Sequence, residues 1–136
     1  MEINPYLSFG GNCAEAFKFY EERLGGKILM SMKFGDSPMA NDGPPGWGDK
    51  IIHIRMELDG NILMGSDSPP NYFQGNHGFA LSVGVHSVEE AEKVFGTLSE
   101  NGKVTMDLQE TFWAKRFGMV TDQFGIHWMV NYEVPA

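Results

Sequence analysis

Two stretches of this chain follow the same plan, "LSFGGNCAEAFKFYEERLGGKI" (Leu7–Ile28) and "LSVGVHSVEEAEKVFGTLSENGKV" (Leu81–Val104). Two single-residue insertions bring them into line, with the matches Leu7 and Leu81, Ser8 and Ser82, Ala16 and Ala91, Tyr20 and Phe95, and Gly26 and Gly102. Each stretch has the pattern of a strand, a turn, an amphipathic helix and a second strand. The sequence therefore predicts an internal repeat.

The helix of each copy has recognisable ends. The first helix is predicted from about Cys13 to Leu24, with Asn12 as its N-cap, because apolar residues recur there at helical spacing. The second is predicted from about Val88 to Glu100, with Ser87 as its N-cap. Glu90 follows Ser87 by three residues, which is the spacing of a capping box.

The second part of each copy also corresponds. "MELDGNILMGSD" (Met56–Asp67) aligns with "MVTDQFGIHWMV" (Met119–Val130) through a shared turn with aspartate and glycine. This alignment places Met64 opposite Met129. Each half of the chain is therefore expected to contain a strand, a helix and three further strands.

The repeat sets the domain organisation. The first module is predicted over residues 1–65, a linker rich in Pro, Gly and Asn over 66–78, and the second module over 79–136. A long irregular stretch, residues 35–50, interrupts the first module, and Trp47 on it is placed to close over a pocket or a partner subunit. We predict an α+β fold in which two tandem βαβββ modules form one half-open curved barrel. Helices would cover its outer faces and the concave face would hold a ligand.

Composition narrows the function classes. Ten Lys and Arg against 18 Asp and Glu give a net charge of −8, which argues against nucleic acid or an anionic membrane as partner. No apolar run approaches the roughly 20 residues of a membrane helix, and no basic segment precedes an apolar one at the N-terminus. A cytoplasmic location is expected. The single cysteine, Cys13, is interpreted as a small buried side chain rather than a reactive thiol.

Three motifs carry a resemblance to a known family. They are "PYLSFGGNCAEAFKFYEERLGGKI" (Pro5–Ile28), "GDSPM" (Gly35–Met39) and "ETFWAKRFGMVTDQFGIHWMVN" (Glu110–Asn131). The chain resembles the vicinal oxygen chelate superfamily of glyoxalase I, extradiol dioxygenases, and bleomycin- and fosfomycin-resistance proteins. Within it, the chain is most similar to the PhnB-like branch, once labelled by likeness to a demethylubiquinone methyltransferase. The resemblance covers nearly the whole chain and implies the glyoxalase/bleomycin resistance fold. The sequence has no glycine-rich nucleotide turn after a first strand, so the methyltransferase label gains no support.

The resemblance also implies where a metal would bind. Enzymes of the superfamily hold a divalent ion with His, Glu or Gln from equivalent strands of the two modules. The two positions at which glutamate is expected carry Met64 and Met129, and a thioether is a poor ligand for such ions. His77 lies one residue from a further ligand position, which aligns with Gly78. No metal or other cofactor is therefore expected. A relocated metal site would draw on His53, His77, Glu110, Asp122 or His127, with His77 and His127 as the candidate ligands.

The concave face is expected to form the ligand pocket. His127 shares a face with Met129 because residues two apart on a strand point the same way. Phe112 and Trp113 are suited to stacking on a flat or apolar ligand, and Arg116 to binding a carboxylate or phosphate. The alternative for this segment is that Trp113 is a core residue and that Glu110 pairs with Arg116 or Lys115 at the surface. The predicted pocket residues are Tyr6, Met64, Glu110, Phe112, Trp113, Arg116, His127 and Met129.

Several of these candidates also have simpler structural interpretations. His127 is favoured as a hydrogen-bonded residue that lines the pocket. His53 alternates with Arg55 and Glu57 along one face of a strand, where a structural role is favoured. Asp122 starts the final turn, where an aspartate bonds its own downstream backbone. Turn or exposed positions account for His77 and His86.

Three functions remain open at this point. The preferred hypothesis is a binding protein that holds a small, largely apolar molecule in the concave pocket without metal. The first alternative is a metal-dependent lyase, dioxygenase or transferase with a relocated site. The second is a dimeric interaction module whose pocket is filled. By resemblance, a homodimer is expected, and no nucleic acid or membrane partner.

Overall fold

The computed structural model describes residues 1–133 and contains the βαβββ order twice over that range. The elements are β1 (Tyr6–Phe9), α1 (Cys13–Leu24), β2 (Lys27–Lys33), β3 (Ile51–Leu58), β4 (Asn61–Asp67), β5 (Leu81–Gly84), α2 (Val88–Ser99), β6 (Lys103–Gln109), β7 (Ala114–Thr121) and β8 (His127–Glu133). The chain divides into two compact units, the first Met1–Gly75 and the second beginning at Asn76. The predicted pair of tandem βαβββ modules is therefore confirmed. Strand β4 continues through Ser66 and Asp67, which the sequence assigned to the linker.

The first unit is a four-stranded sheet with one helix. The strand order is β1-β4-β3-β2, with β1 parallel to β4 and the other pairs antiparallel. One face is buried against α1, and at Gly65 on this face an added Cβ would come within 2.9 Å of the Phe17 ring. The core residues on this side are Leu7, Phe9, Ala16, Phe17, Tyr20, Ile54, Met56 and Leu63. We call the other face, which α1 does not cover, the first open face. Its residues include Tyr6, Met30, Met32, His53, Arg55 and Met64.

The second unit repeats this arrangement. Its strand order is β5-β8-β7-β6, again with one parallel pair, β5 and β8. Helix α2 packs against the sheet at Gly118, where the Phe95 ring fills the space that any side chain would need. Its core includes Ala91, Phe95, Leu98, Val120, Trp128 and Val130. The face that α2 does not cover is called the second open face. Its residues include Met106, Phe117, Met119, Thr121, His127 and Met129.

Both helices begin at the predicted residues, but their first turns are capped by different hydrogen bonds. Ser87 Oγ accepts a hydrogen bond from the Glu90 amide at 3.0 Å, and a Glu90 carboxylate oxygen accepts one from the His86 amide at 2.8 Å. Ser87 therefore caps α2 as predicted, but the Glu90 carboxylate bonds the amide one residue before the N-cap, so the predicted capping box is only half formed. Asn12 occupies the N-cap position of α1, but its side chain makes no capping hydrogen bond. The buried Asp67 carboxylate of β4 caps this end instead, because it accepts the amides of Gly11 and Cys13 at 2.9 and 3.0 Å.

Strand pairing corrects one part of the repeat alignment. Tyr6 is opposite Met64 in the first sheet, and Ser82 is opposite Met129 in the second. If Met64 and Met129 are equivalent, Ser82 is the counterpart of Tyr6 and not of Ser8. The shared Leu-Ser pair suggested the other alignment, and a shift of two residues leaves the faces unchanged, so the pattern of apolar residues did not reveal it.

The long loop of the first unit folds back on its own unit. The Trp47 ring lies edge-on to Phe34, with ring centroids 6.5 Å apart, and the Lys50 Nζ lies 5.9 Å from the Trp47 ring centre. Lys50 Nζ also donates a hydrogen bond to the Gly11 carbonyl at 2.8 Å. Trp47 therefore anchors the loop within the first unit. Within residues 1–133, no helix has both the length and the apolar character needed to span a membrane.

Candidate functional site

A cavity of about 540 Å³ lies in the second unit. Its volume falls in the range of small-molecule pockets, roughly 300–1,000 Å³. Met119, Thr121 and His127 bring the second open face into this cavity. The full lining is Gly78, Phe79, Ala80, Thr105, Met119, Val120, Thr121, His127 and Trp128.

The turn between β7 and β8 fixes the residues at one end of the cavity. One carboxylate oxygen of Asp122 accepts the amides of Phe124 and Ile126 at 2.9 and 3.0 Å, and the other accepts the Trp128 indole N–H at 2.8 Å. Asp122 is buried. The sequence predicted the bonds to the backbone of the turn, and the structure adds the bond to Trp128. Because the turn is held from both sides, the first residue of β8, His127, has a fixed backbone.

The His127 ring is hydrogen-bonded at both nitrogens. Nε2 lies 2.7 Å from the Asn76 carbonyl oxygen, and Nδ1 lies 2.8 Å from the Thr121 hydroxyl. A carbonyl oxygen can only accept, so Nε2 carries the hydrogen, and Nδ1 of the neutral ring accepts from Thr121. His127 therefore connects the segment before β5 to the sheet. The lone pair of Nδ1 already accepts from the Thr121 hydroxyl. This agrees with the interpretation of His127 as a hydrogen-bonded residue rather than a metal ligand.

Methionines dominate both open faces. Of nine methionines in the chain, Met30, Met32 and Met64 lie on the first open face, and Met106, Met119 and Met129 on the second. A methionine side chain is apolar, unbranched and adaptable in shape. The cavity borders this kind of surface through Met119, which is paired with Met129 across β7 and β8.

The predicted aromatic pair extends the second open face. Phe112 is 95 % exposed, and its ring contacts Trp113 at a centroid distance of 4.7 Å. Trp113 lies edge-on to Phe117 at 5.2 Å. Phe117 is two residues from Met119 on β7 and so shares its face. The structure thus brings Phe112, Trp113, Met129 and His127 into one apolar stripe along one sheet, although only His127 among the predicted pocket residues lines the cavity.

The charged residues of the same segment are placed differently. Arg116 precedes Phe117 by one residue in a regularly paired stretch and therefore lies on the opposite face from His127 and Met129. One of its guanidinium nitrogens donates to the Lys115 carbonyl at 2.6 Å. Glu110 is exposed in the loop between β6 and β7, and within residues 1–133 it forms no ion pair with Arg116 or Lys115. Strand alternation therefore corrects the expectation that Arg116 faces the pocket. The alternative, in which Glu110 pairs with Arg116 or Lys115, is not found within residues 1–133 either.

The two remaining pocket candidates belong to the first unit. Tyr6 and Met64 are cross-strand neighbours on the first open face. The Tyr6 hydroxyl lies 3.0 Å from Nδ1 of His53, and the two rings stack with centroids 5.7 Å apart. No sequence pattern predicts this pair, because its members are 47 residues apart and lie on strands that are not neighbours in the sheet.

The expected ligand positions offer few donor atoms for a divalent cation. Within residues 1–133, no three side chains of His, Cys, Asp or Glu are grouped as a metal site requires. The expected glutamate positions carry the thioethers of Met64 and Met129, His77 is exposed on the loop before β5, and both nitrogens of His127 are hydrogen-bonded. Cys13 is fully buried, and this burial, together with the nearby Asp67 charge, raises the pKa of its thiol well above the ordinary value.

This architecture of two βαβββ modules defines the fold class, which is the glyoxalase/bleomycin resistance fold. A family model described as 3-demethylubiquinone-9 3-methyltransferase matches residues 1–131, and the chain belongs to this PhnB-like family.

Several known proteins are similar over nearly the full length. Protein YjdN of Escherichia coli is 40% identical over 139 aligned positions, covering 96% of this chain and 95% of that protein. The crystal structure of protein PA1353 from Pseudomonas aeruginosa is 48% identical with a TM-score of 0.88, covering 98% of each chain. A PhnB protein from Bacillus cereus is 27% identical with a TM-score of 0.78, covering 97% of this chain and 99% of that one. The fosfomycin resistance protein FosX of Listeria monocytogenes, with 8% identity and a TM-score of 0.68, covers 98% of this chain and 94% of its own and shares the fold.

Proposed function

We propose that this PhnB-like protein binds a small, largely apolar molecule in the cavity of the second unit and that it does so without a metal ion. The observation that supports this function is the cavity of about 540 Å³. Its lining is mainly apolar, and Thr105, Thr121 and His127 supply a small polar group of side chains. Pockets of this size that combine apolar walls with few polar groups are typical of small-molecule sites.

The roles of the lining residues follow from their contacts. Met119 and Phe79 provide apolar surface that adapts to the shape of a ligand. Thr121 is fixed by its hydrogen bond to His127, which Asn76 holds in turn, so the Thr121 oxygen is a rigid polar group that can accept from a ligand. The ligand would therefore be oriented by its polar end and held by its apolar body.

We propose binding rather than metal-assisted catalysis because of the donor set. A lyase or dioxygenase of the vicinal oxygen chelate type needs a metal with open positions for two substrate oxygens. The thioethers of Met64 and Met129 stand where the resemblance requires carboxylates, and His127 would have to exchange one of its two hydrogen bonds for the ion.

A neutral fluorescent probe tests the cavity. N-phenyl-1-naphthylamine is expected to brighten on binding and to accept energy from Trp128, which lines the cavity. Met119→Glu should abolish this signal because it places a charge in the apolar wall. Met39→Glu is the matched control, since it makes the same change at a loop residue that is 48 % exposed and lies outside both open faces, and it should leave the signal unchanged.

Two outcomes would reject the cavity as the binding site. One is equal binding of the probe by wild type and Met119→Glu. The other is loss of binding in both variants, which would indicate a general surface effect. Melting curves of both variants distinguish loss of the site from loss of the fold, and Met119→Gln, which is uncharged, should give partial binding if the fold is intact.

We further propose that the protein acts in the cytoplasm as a homodimer. The exposed aromatic side chain of Phe112 is an apolar surface of the kind that a subunit interface buries. Light scattering coupled to gel filtration measures the mass directly, with 15.2 kDa for one chain. A monomeric mass at micromolar concentration would reject the dimer.

A further inference from the structure

We propose that the first open face carries a second binding site, for a small organic anion whose carboxylate or phosphate group is held by Arg55 and His53 and whose apolar body lies on the neighbouring methionines. This site belongs wholly to the first unit and does not depend on the proposed function of the cavity.

Arg55 is the centre of the proposed site. It lies on β3 between two other strands, opposite Met64 on β4 and opposite Met30 on β2. Its side chain is half-buried between these thioethers. Within the described part of the chain, its guanidinium group forms neither a hydrogen bond nor an ion pair. A partly desolvated guanidinium with five free donors is a strong site for a planar oxyanion, because its fork matches a carboxylate or phosphate in two parallel hydrogen bonds.

His53 supplies a second donor on the same face. It lies two residues before Arg55 on β3, a separation of roughly 6.6 Å along a strand, so both side chains can reach one anion. The Tyr6 hydroxyl contacts Nδ1 at 3.0 Å and the Tyr6 ring stacks on the imidazole. When Tyr6 donates to Nδ1, the neutral ring carries its hydrogen on Nε2. That atom has no hydrogen-bond partner among residues 1–133, so it is available to the ligand.

Apolar surface surrounds these donors. Met32 is opposite His53 in the β2–β3 pairing and is 39 % exposed, and Met30, opposite Arg55, is 40 % exposed. Such a surface favours an anion with a hydrocarbon body over a bare inorganic ion. Glu57 also lies on this face of β3, two residues after Arg55 and opposite Lys27. We therefore place the anion on the other side of Arg55, toward His53.

Titration with four probes tests the site: octanoate, octyl phosphate, inorganic phosphate and octanol. Binding is measured by calorimetry and by the side-chain NMR signal of Arg55. Octanoate or octyl phosphate should bind the wild type and shift this signal, and octanol should not shift it. Arg55→Met should weaken binding at least tenfold while keeping the face apolar. Arg23→Met is the matched control, because it removes the same charge from an exposed position in the last turn of α1, and it should bind as the wild type does.

A second variant tests the site with a smaller change that should leave the fold intact. Tyr6→Phe retains the stacked ring but removes the hydroxyl that orients His53, so it should weaken binding several-fold with an unchanged melting point. Equal octanoate binding by wild type and Arg55→Met would overturn the proposal, and so would an absence of binding to all four probes. Inorganic phosphate binding as tightly as octanoate would overturn the assignment of an apolar body.

The same probes separate this site from the cavity of the second unit. Octanoate binding that is lost in Met119→Glu and retained in Arg55→Met would overturn the proposal and place the anion in the cavity. Octanoate binding that depends on Arg55 in a protein that does not bind N-phenyl-1-naphthylamine would support this site and reject the proposed function of the cavity.

Discussion

At the scale of single residues, Asp67 connects three segments of the first unit. Its carboxylate accepts the amides of Gly11 and Cys13 at the start of α1, and the Ile51 amide at the start of β3 at 2.8 Å. The residue is 3 % exposed. A buried carboxylate with three backbone donors holds the helix and the returning chain in place.

Removal of this carboxylate should be strongly destabilising. Asp67→Ala leaves three amides without an acceptor, and we expect the free energy of unfolding to fall by about 3–5 kcal/mol. Asp67→Asn keeps one acceptor oxygen and should fall between this variant and the wild type. Urea denaturation measures both. Asp49→Ala, at a side chain that is 97% exposed, is the control and should hardly change the midpoint. A small effect of Asp67→Ala would mean that solvent satisfies the three amides.

Cys13 illustrates how burial controls chemistry at one atom. Desolvation is the larger cause that raises the pKa of its thiol, and the Asp67 charge is the smaller one. A free thiol has a pKa of about 8.5 and is partly ionised near that pH, whereas the folded protein keeps the Cys13 thiol protonated. The folded pKa lies above the unfolded one, and this contribution to stability is therefore full below about pH 8.5 and declines at higher pH.

The native thiol should accordingly resist alkylation. Iodoacetamide at pH 8.5 is expected to modify Cys13 rapidly in urea and very slowly in the folded protein, as followed by mass spectrometry. Equal rates in the two states would show that the thiol is reached without unfolding, and the interpretation of Cys13 as an inert core residue would then be wrong.

At the scale of elements, the two helix starts give a matched pair of variants. Ser87→Ala removes the hydroxyl that accepts the Glu90 amide, and the protein should lose about 1 kcal/mol of stability. Asn12→Ala should lose less, because Asp67 and not Asn12 accepts the first amides of α1. Thermal or urea melting of the two single variants checks this order. The reverse order would show that Asn12 caps the helix in solution.

The helices and the repeat could be predicted from local signals. Helix α1 spans Cys13–Leu24 as predicted, and α2 ends at Ser99, one residue early, because spacing and caps are encoded within a few neighbouring residues. The role of Asp67 could not be predicted in this way. Its partners are more than 50 residues away at α1, and only the parallel pairing of β1 with β4 brings them together.

Local signals in the sequence also predicted part of the candidate site. Strand alternation correctly placed His127 and Met129 on one face, and the turn role of Asp122 followed from its local position. The placement of Arg116 depends on where β7 starts and on an irregular register between Ala114 and Arg116, which the sequence does not show. The Asn76 carbonyl that fixes His127 comes from a loop 51 residues away.

At the scale of the whole molecule, the two units repeat one design. Each has a helix on one face of a four-stranded sheet and methionines on the other. Met64 and Met129 occupy the positions at which the resemblance places a carboxylate, one in each unit. Apolar surface on both open faces is consistent with ligands that are held by shape and by a few polar contacts rather than by an ion.

Methionine at both of these positions leads to a prediction for the intact protein. Zn²⁺, Ni²⁺, Mn²⁺ and Fe²⁺, added one at a time to dialysed protein without a histidine tag, should not raise the melting temperature with increasing concentration. An ion that binds the folded state alone stabilises it in proportion to the logarithm of its concentration, so even weak specific binding would be visible. Plasma mass spectrometry of the purified protein should find metal far below one ion per chain. His127→Ala and His77→Ala test the opposite outcome. Near-stoichiometric metal that disappears in either variant would show that a relocated site exists, despite the hydrogen bonds on both nitrogens of His127. A metal-dependent enzyme would then explain this protein better than a metal-free binding protein.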